Sequence, residues 1–172
     1  MTVSDIGHPP TIHASAVVIG GQGVLIRGLP RAGKTTLGQA LVATRSDDKG
    51  TPGHRNPSEK FSLWVSDDRT IVAAQNGQLI ATAPQAIAGR IADRKHGIMT
   101  VPFAASTILA LIVDLDLGHE GRTREMTAQL LGQRLPLIRM EPVRPDTAHK
   151  AAQAVHAALG SILTDMPPSG EH

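Results

Sequence analysis

Residues 28–35 read Gly-Leu-Pro-Arg-Ala-Gly-Lys-Thr and fit the pattern G-x-x-x-x-G-K-[ST] at every fixed position. Each type has a task at this spacing. Gly28 and Gly33 permit backbone conformations that turn several N–H groups towards one point, and a following helix adds its positive end. Lys34 brings a mobile charge to the β- and γ-phosphates, and the Thr35 hydroxyl can ligate Mg²⁺. A chance match in a chain of this size is on the order of 1%, and the flanking sequence lowers that further. The reading is a nucleoside triphosphate site with Mg²⁺, with Gly28, Leu29, Pro30, Arg31, Ala32, Gly33, Lys34, Thr35 and Thr36 as its phosphate-binding residues.

A second group of residues is needed for a reaction. Ser66-Asp67-Asp68-Arg69 follows an apolar run, which places both carboxylates at a strand's end. One could hold Mg²⁺ directly or through water, and the other could take a proton from an attacking hydroxyl. Asp-Asp is also an ordinary turn pair, and only the phosphate loop makes the functional reading the better one.

These residues need elements to position them. Ala14–Ile19 and Val24–Arg27 predict two strands joined by a glycine turn, the second running into Gly28. A helix is predicted from Lys34 to about Thr44, with Leu37, Leu41 and Val42 on one face. Further strands are predicted at Phe61–Val65, Thr70–Ala74, Leu79–Thr82, Ile98–Val101, Ile108–Leu115 and Leu135–Met140. Asn76-Gly77 signals a hairpin. Pro84 is expected to open a helix through about Ala92, and Asp146 to cap a helix over Thr147–Leu163. The result is an α/β domain with a mixed sheet and flanking helices. Residues 1–12 read as a lead-in, 13–165 as the domain, 46–60 as a polar surface loop and 166–172 as a tail.

Composition narrows the function class. The 172 residues include no cysteine, which removes disulfides, thiolate metal sites and a cysteine nucleophile. The longest aliphatic run, Ile108–Val113, ends at Asp114, far short of the ~20 residues that a membrane helix needs. No basic-then-apolar leader opens the chain, so the expected location is the cytoplasm, away from membranes. Net charge is +2 with scattered Lys and Arg, and the aromatics are two Phe and one Trp, which argues against nucleic acid as partner. His149 and His156 read as surface residues, and Arg90, Arg94 and Lys95 as either a solvated helix end or a contact for phosphate or an acidic partner.

The ordered set His13, Gly28–Thr35, Asp67-Asp68-Arg69, Arg94 with Gly97-Ile98, and Pro142-Val143-Arg144-Pro145 resembles the catalytic domain of the HPr kinase/phosphorylase family. His13 stands 21 positions before Lys34, which is that family's spacing. The resemblance spans His13 to Pro145 and implies a P-loop domain of the HPr kinase type, in the shorter form that lacks the family's N-terminal domain. It implies transfer of phosphate from ATP to a serine of the phosphocarrier protein HPr, by a homo-oligomer. Carried over by position, Lys34 stabilises the transferring phosphate and Asp68 accepts the serine proton. Thr35 and Asp67 serve the metal, and His13 lies beside the phosphates. A catalytic Arg falls within Gly121–Met126, where Arg122 and Arg124 both stand and Arg124 is the residue assigned.

The chain also departs from the family pattern. Ala92 stands where the family carries a metal-binding Glu, with Asp93 one step later as the substitute ligand. After Pro145 the chain continues Asp146-Thr147-Ala148 in place of Gly-Arg-Asn, which weakens a dephosphorylating activity. Two alternatives follow: an ATP-sensing module built on a degenerate site, or a kinase for another acceptor.

Overall fold

The computed structural model describes residues 10–43, 61–116 and 126–165. In chain order the elements are β1 (Thr11–Ile12), β2 (Ala14–Ile19), β3 (Gln22–Gly28), α1 (Lys34–Ala43), β4 (Ser62–Ser66), β5 (Thr70–Gln75) and β6 (Gln78–Thr82). A single 3₁₀ turn at Gln85–Ile87 leads to β7 (Arg90–Asp93), β8 (Gly97–Thr100), β9 (Ser106–Leu115), β10 (Met126–Leu130), β11 (Gln133–Met140) and α2 (Ala148–Asp165). Among these residues the main sheet runs β1-β5-β6-β9-β3-β2-β4, and the β10–β11 hairpin joins it through β9. It is mixed: β3, β9 and β11 are parallel, and the other pairings are antiparallel.

The long strand β9 organises the sheet. Its first residues pair with β6 (Thr107 with Ala81), and its last pair with β11 (Asp114 with Arg139). β3 lies along it in parallel, with Arg27 opposite Asp114 and Gly28 opposite Leu115. Both faces of the central strands are buried, which is why β2, β3 and β9 read as near-continuous apolar runs. Val17, Ile19, Val24, Ile26, Leu111 and Val113 face the two helices. Ala14, Ala16, Val18, Leu25 and Ile112 face the other way, where Val72, Leu79 and Ala81 of the curled-over β5 and β6 cover them. Each helix contributes one stripe to the core: Leu37 and Leu41 from α1, and Ala148, Ala152, Val155 and Leu159 from α2.

α1 sits unusually close to the sheet at Gly38, where an added Cβ would lie 2.3 Å from the Trp64 ring. Trp64 is 3% exposed and cannot swing aside. Gly38→Ala is therefore expected to lose stability. The gain of up to ~1 kcal/mol in helix propensity is outweighed by overpacking of about 1–3 kcal/mol. Thermal unfolding checks this, and a raised midpoint would contradict it.

The structure differs from the sequence reading at five points. The helix expected from Pro84 is one 3₁₀ turn and then strand β7. Gly89 takes φ +72°, outside the helical region, and beyond it the chain alternates: Ile91 is buried while Arg90 and Ala92 are exposed. Arg90 consequently lies on a strand, with Arg94 and Lys95 in the turn of the β7–β8 hairpin. Thr11 and Ile12, assigned to the lead-in, pair with Ile71 and Thr70 of β5. β10 was not expected at all; it closes on β11 through Leu131-Gly132, both at positive φ. The first carbonyl of α2 to accept a helical bond belongs to Thr147, bonded by the Ala151 N–H, so Asp146 is not the cap. Asp146 instead pairs with Arg144 at 3.5 Å. The Asn76-Gly77 hairpin is also tighter than its flanking residues suggested, since Gln75 pairs directly with Gln78.

Candidate active site

The carboxyl ends of β3 and β4 lie at the same end of the sheet, on either side of β2, and α1 starts there. β3 ends at Gly28, the chain crosses residues 29–33, and α1 begins at Lys34, so the motif occupies a strand–loop–helix junction. Within the loop Ala32 N–H bonds Leu29 O at 3.0 Å, and Leu37 N–H bonds Gly33 O at 2.9 Å. Arg31 and Gly33 take φ of 67° and 95°. At Gly33 glycine is required twice over: its φ is left-handed, and a Cβ would lie 2.0 Å from Val143 O. Val143 N–H also bonds Ala32 O at 2.8 Å, so the Pro142–Pro145 segment braces the 28–35 loop. Leu29, Pro30 and Arg31 are exposed, Ala32 is buried, and Thr36 is half-buried in the first turn of α1.

Lys34 is buried, and its Nζ donates to Gly28 O at 2.9 Å and Leu29 O at 3.1 Å. Burial pushes the pKa of its ammonium below the usual lysine value, and the nearby negative charges of Asp68 and Asp67 only partly oppose this. A lysine so placed is ready to shed its desolvation cost against an anionic ligand.

Asp67 and Asp68 are consecutive yet serve different environments. Asp67 is buried; its Oδ1 accepts from Thr35 Oγ1 and Ser15 Oγ, each at 2.8 Å, and its Oδ2 accepts from Ala92 N–H at 3.0 Å. Asp68 takes φ 65°, which turns its side chain out to solvent, where Oδ1 lies 2.6 Å from His13 Nε2. The turn is fixed by Arg69 N–H on Asp67 O at 2.8 Å and by the Ser66 hydroxyl on Arg69 O. The Asp-Asp pair is thus a tight turn and a junction of the site at once.

The hydroxyl and carboxylate of Thr35 and Asp67 form a set of hard oxygen donors, the type Mg²⁺ takes. That ion commonly uses only one or two protein groups, with waters and phosphate oxygens completing its shell. These residues therefore fit the metal. Among the described residues no group of three or more His, Asp or Glu forms a larger metal cluster.

Asp93, the acidic residue that follows Ala92, hydrogen-bonds to α1 and to its own turn. Its Oδ2 accepts from Gln39 Nε2 at 2.8 Å, and its Oδ1 accepts from Lys95 N–H at 2.7 Å and His96 N–H at 2.8 Å, with His96 Nδ1 at 3.0 Å. Strand alternation also turns its side chain to the opposite face of β7 from that of Ala92, whose backbone reaches Asp67. Its carboxylate is spent on the turn and on α1. The Gln39 hydrogen bond and the His96 and Lys95 amides hold its pKa well below the usual carboxylate range. An NMR titration of its carboxyl carbon is expected to give a midpoint below the ~3.9 of a free aspartate; a midpoint at or above that value would contradict these bonds. With the folded pKa depressed, its contribution to stability is complete above about pH 4 and is lost as the pH falls towards the folded pKa.

Sequence reasoning missed Ser15, whose hydroxyl donates to Asp67 Oδ1 and accepts the Asp68 N–H at 3.1 Å, tying both aspartates to β2. Its signal was present: a serine inside an apolar strand is a buried polar group that must find partners. The Ala92 amide left no signal, because a backbone donor has no residue type. Arg122 and Arg124 lie outside the described residues, as does the 46–60 loop. His149 and His156 both lie on α2; His149 Nε2 is 3.2 Å from Gln153, and His156 is half-buried rather than exposed.

Among the described residues a curled mixed sheet with two helices, joined through a strand–loop–helix junction, defines the fold. The structure of the Hpr(Ser) kinase/phosphatase from Coxiella burnetii is similar: it is 24% identical, the match covers 88% of this chain and 99% of that chain, and the TM-score is 0.65. The chain therefore has the HPr kinase fold. No family model matches the chain, and no curated protein sequence matches it significantly. Among the described residues no helix is long and apolar enough to cross a membrane.

Proposed function

We propose that the chain is an ATP-dependent serine kinase whose acceptor is the phosphocarrier protein HPr or a related phosphocarrier. One observation carries the reading. Ser15 and the 67–68 turn set a buried carboxylate bonded to Thr35 and an exposed, His-paired carboxylate one residue apart, near Lys34. The likeness of fold to a kinase that bears the name of this acceptor supports it. The kinase unit is taken as residues 13–165, with the short strand Thr11–Ile12 paired onto it.

In this reading the backbone of residues 28–36 and the amino end of α1 bind the β- and γ-phosphates, and Lys34 supplies positive charge to them. Thr35 and Asp67 would hold Mg²⁺, which when bound neutralises phosphate charge. Asp68 accepts the proton of the serine hydroxyl as its Oγ bonds to the γ-phosphorus. The bond from that phosphorus to the β–γ bridging oxygen breaks, leaving phosphoserine and ADP. His13 holds Asp68 in orientation through the 2.6 Å contact. Arg124 is proposed to stabilise charge on the transferring group. Most of the rate enhancement then comes from alignment and charge neutralisation.

Ala92 favours a second reading. The backbone at this position touches Asp67 but its side chain brings no carboxylate, as in a nucleotide sensor that binds without transferring. Measuring ADP release with and without HPr separates the two. The kinase reading expects Mg²⁺-dependent release stimulated at least tenfold by HPr; nucleotide binding with no ADP release in either case would replace it with the sensor.

A further inference from the structure

Two links join α1 to the β7–β8 hairpin. The first runs through Asp67, which takes Thr35 Oγ1 on one oxygen at 2.8 Å and the Ala92 N–H on the other at 3.0 Å. The second is direct, from Gln39 Nε2 to Asp93 Oδ2 at 2.8 Å. Thr35 and Gln39 are one helical turn apart on the same face of α1, and Ala92 and Asp93 are consecutive on β7. The links therefore close a ring: Thr35, Asp67, Ala92, Asp93, Gln39 and back along the helix. The other oxygen of Asp93 accepts the Lys95 and His96 amides, so the same carboxylate also fixes the turn that follows.

Building on the kinase reading, we infer that Gln39 and Asp93 are a positioning pair that sets the Ala92 amide against Asp67 and so orients the carboxylate that serves the metal beside Thr35. A ligand role for Asp93 and a positioning role make opposite demands on chemistry. A ligand needs its negative charge. The pair needs only a complementary donor and acceptor, and a Gln amide can turn over to present oxygen instead of nitrogen. Asp93→Asn keeps the link, with Asn Nδ2 donating to Gln39 Oε1, while Asp93→Ala removes it. Gln39→Glu faces two carboxylates across 2.8 Å, and adding Asp93→Asn restores a donor for the new Glu.

The test uses the full chain and two readouts: affinity for Mg²⁺–ADP by titration calorimetry, and hydrogen exchange of the Ala92 amide by NMR. Asp93→Ala and Gln39→Glu are expected to weaken Mg²⁺–ADP about tenfold and to speed Ala92 exchange at least tenfold, with exchange at Ile112 in the core unchanged. Asp93→Asn and the double variant Gln39→Glu/Asp93→Asn are expected within threefold of the parent in both. Asp93→Asn as damaging as Asp93→Ala would overturn the inference by showing that the charge is what matters. A harmless Gln39→Glu would overturn it by showing that the link does nothing. If the parent chain bound no Mg²⁺–ADP, the kinase reading would fall, and Ala92 exchange would still decide whether the pair positions the hairpin.

Discussion

Replacing Lys34 by Ala is expected to reduce phosphate transfer by at least about a hundredfold and to leave the fold in place. In the proposed mechanism the loss follows from removing a preorganised cation from the place where charge would accumulate in transfer, an effect of about 10²–10³ for a single donor in other enzymes. The retained fold follows from where the ammonium sits. It is buried and its pKa is pushed down, so at neutral pH the protonated form costs stability in the folded state. That cost is relieved as the pH rises through the lowered folded pKa, which is the reverse of a lysine that gains a partner on folding. Its deletion removes two hydrogen bonds, to Gly28 O and Leu29 O, at a net cost of about 1 kcal/mol each. These opposing terms leave stability within about 2 kcal/mol of the parent. Transfer assays paired with thermal unfolding check both halves. Full activity in a folded variant would remove the phosphate loop from the mechanism.

The second large effect is expected at Asp68. Asp68→Asn preserves the shape of the turn, and the left-handed φ of 65° suits Asn as well as Asp. It removes the carboxylate proposed to accept the serine proton, and losses of about 10²–10⁴ are usual for such a group. Affinity for Mg²⁺–ATP is expected to stay within threefold, because Asp67 and not Asp68 meets Thr35. Rates measured at saturating nucleotide, with binding measured separately, give the split. Loss of ATP binding together with transfer would make Asp68 a metal or folding residue.

The candidate site was legible where the proposed function needs a side chain at a fixed spacing. The phosphate loop, the Asp-Asp turn and His13 are such features, and the structure brings His13 and Asp68 to 2.6 Å across 55 residues of chain. It was not legible where backbone does the work. The Ala92 N–H on Asp67 and the Val143 N–H on Ala32 O depend on how strands pass each other, which no residue type announces. Most strands were readable because burial on both faces produces apolar runs. The segment after Pro84 misled because a proline followed by alanines fits a helix start, while the left-handed Gly89 and the alternation of Ile91 decide for a strand. β10 escaped because Leu131-Gly132 lacks the Asn-Gly chemistry that marked the other hairpin. The sequence offers Asp93 as a carboxylate one step beyond Ala92 and gives no sign of its partners, since the Gln39 amide and the Lys95 and His96 amides that meet it are set by how α1 passes the β7–β8 turn.

The central claim is tested most directly by intact-mass analysis of HPr after incubation with this protein and Mg²⁺–ATP, with the Lys34→Ala protein in parallel. The account predicts one added phosphoryl group on a serine of HPr, absent with the Lys34→Ala control. Unmodified HPr from the matching organism, alongside clear ATP binding by this chain, would contradict it.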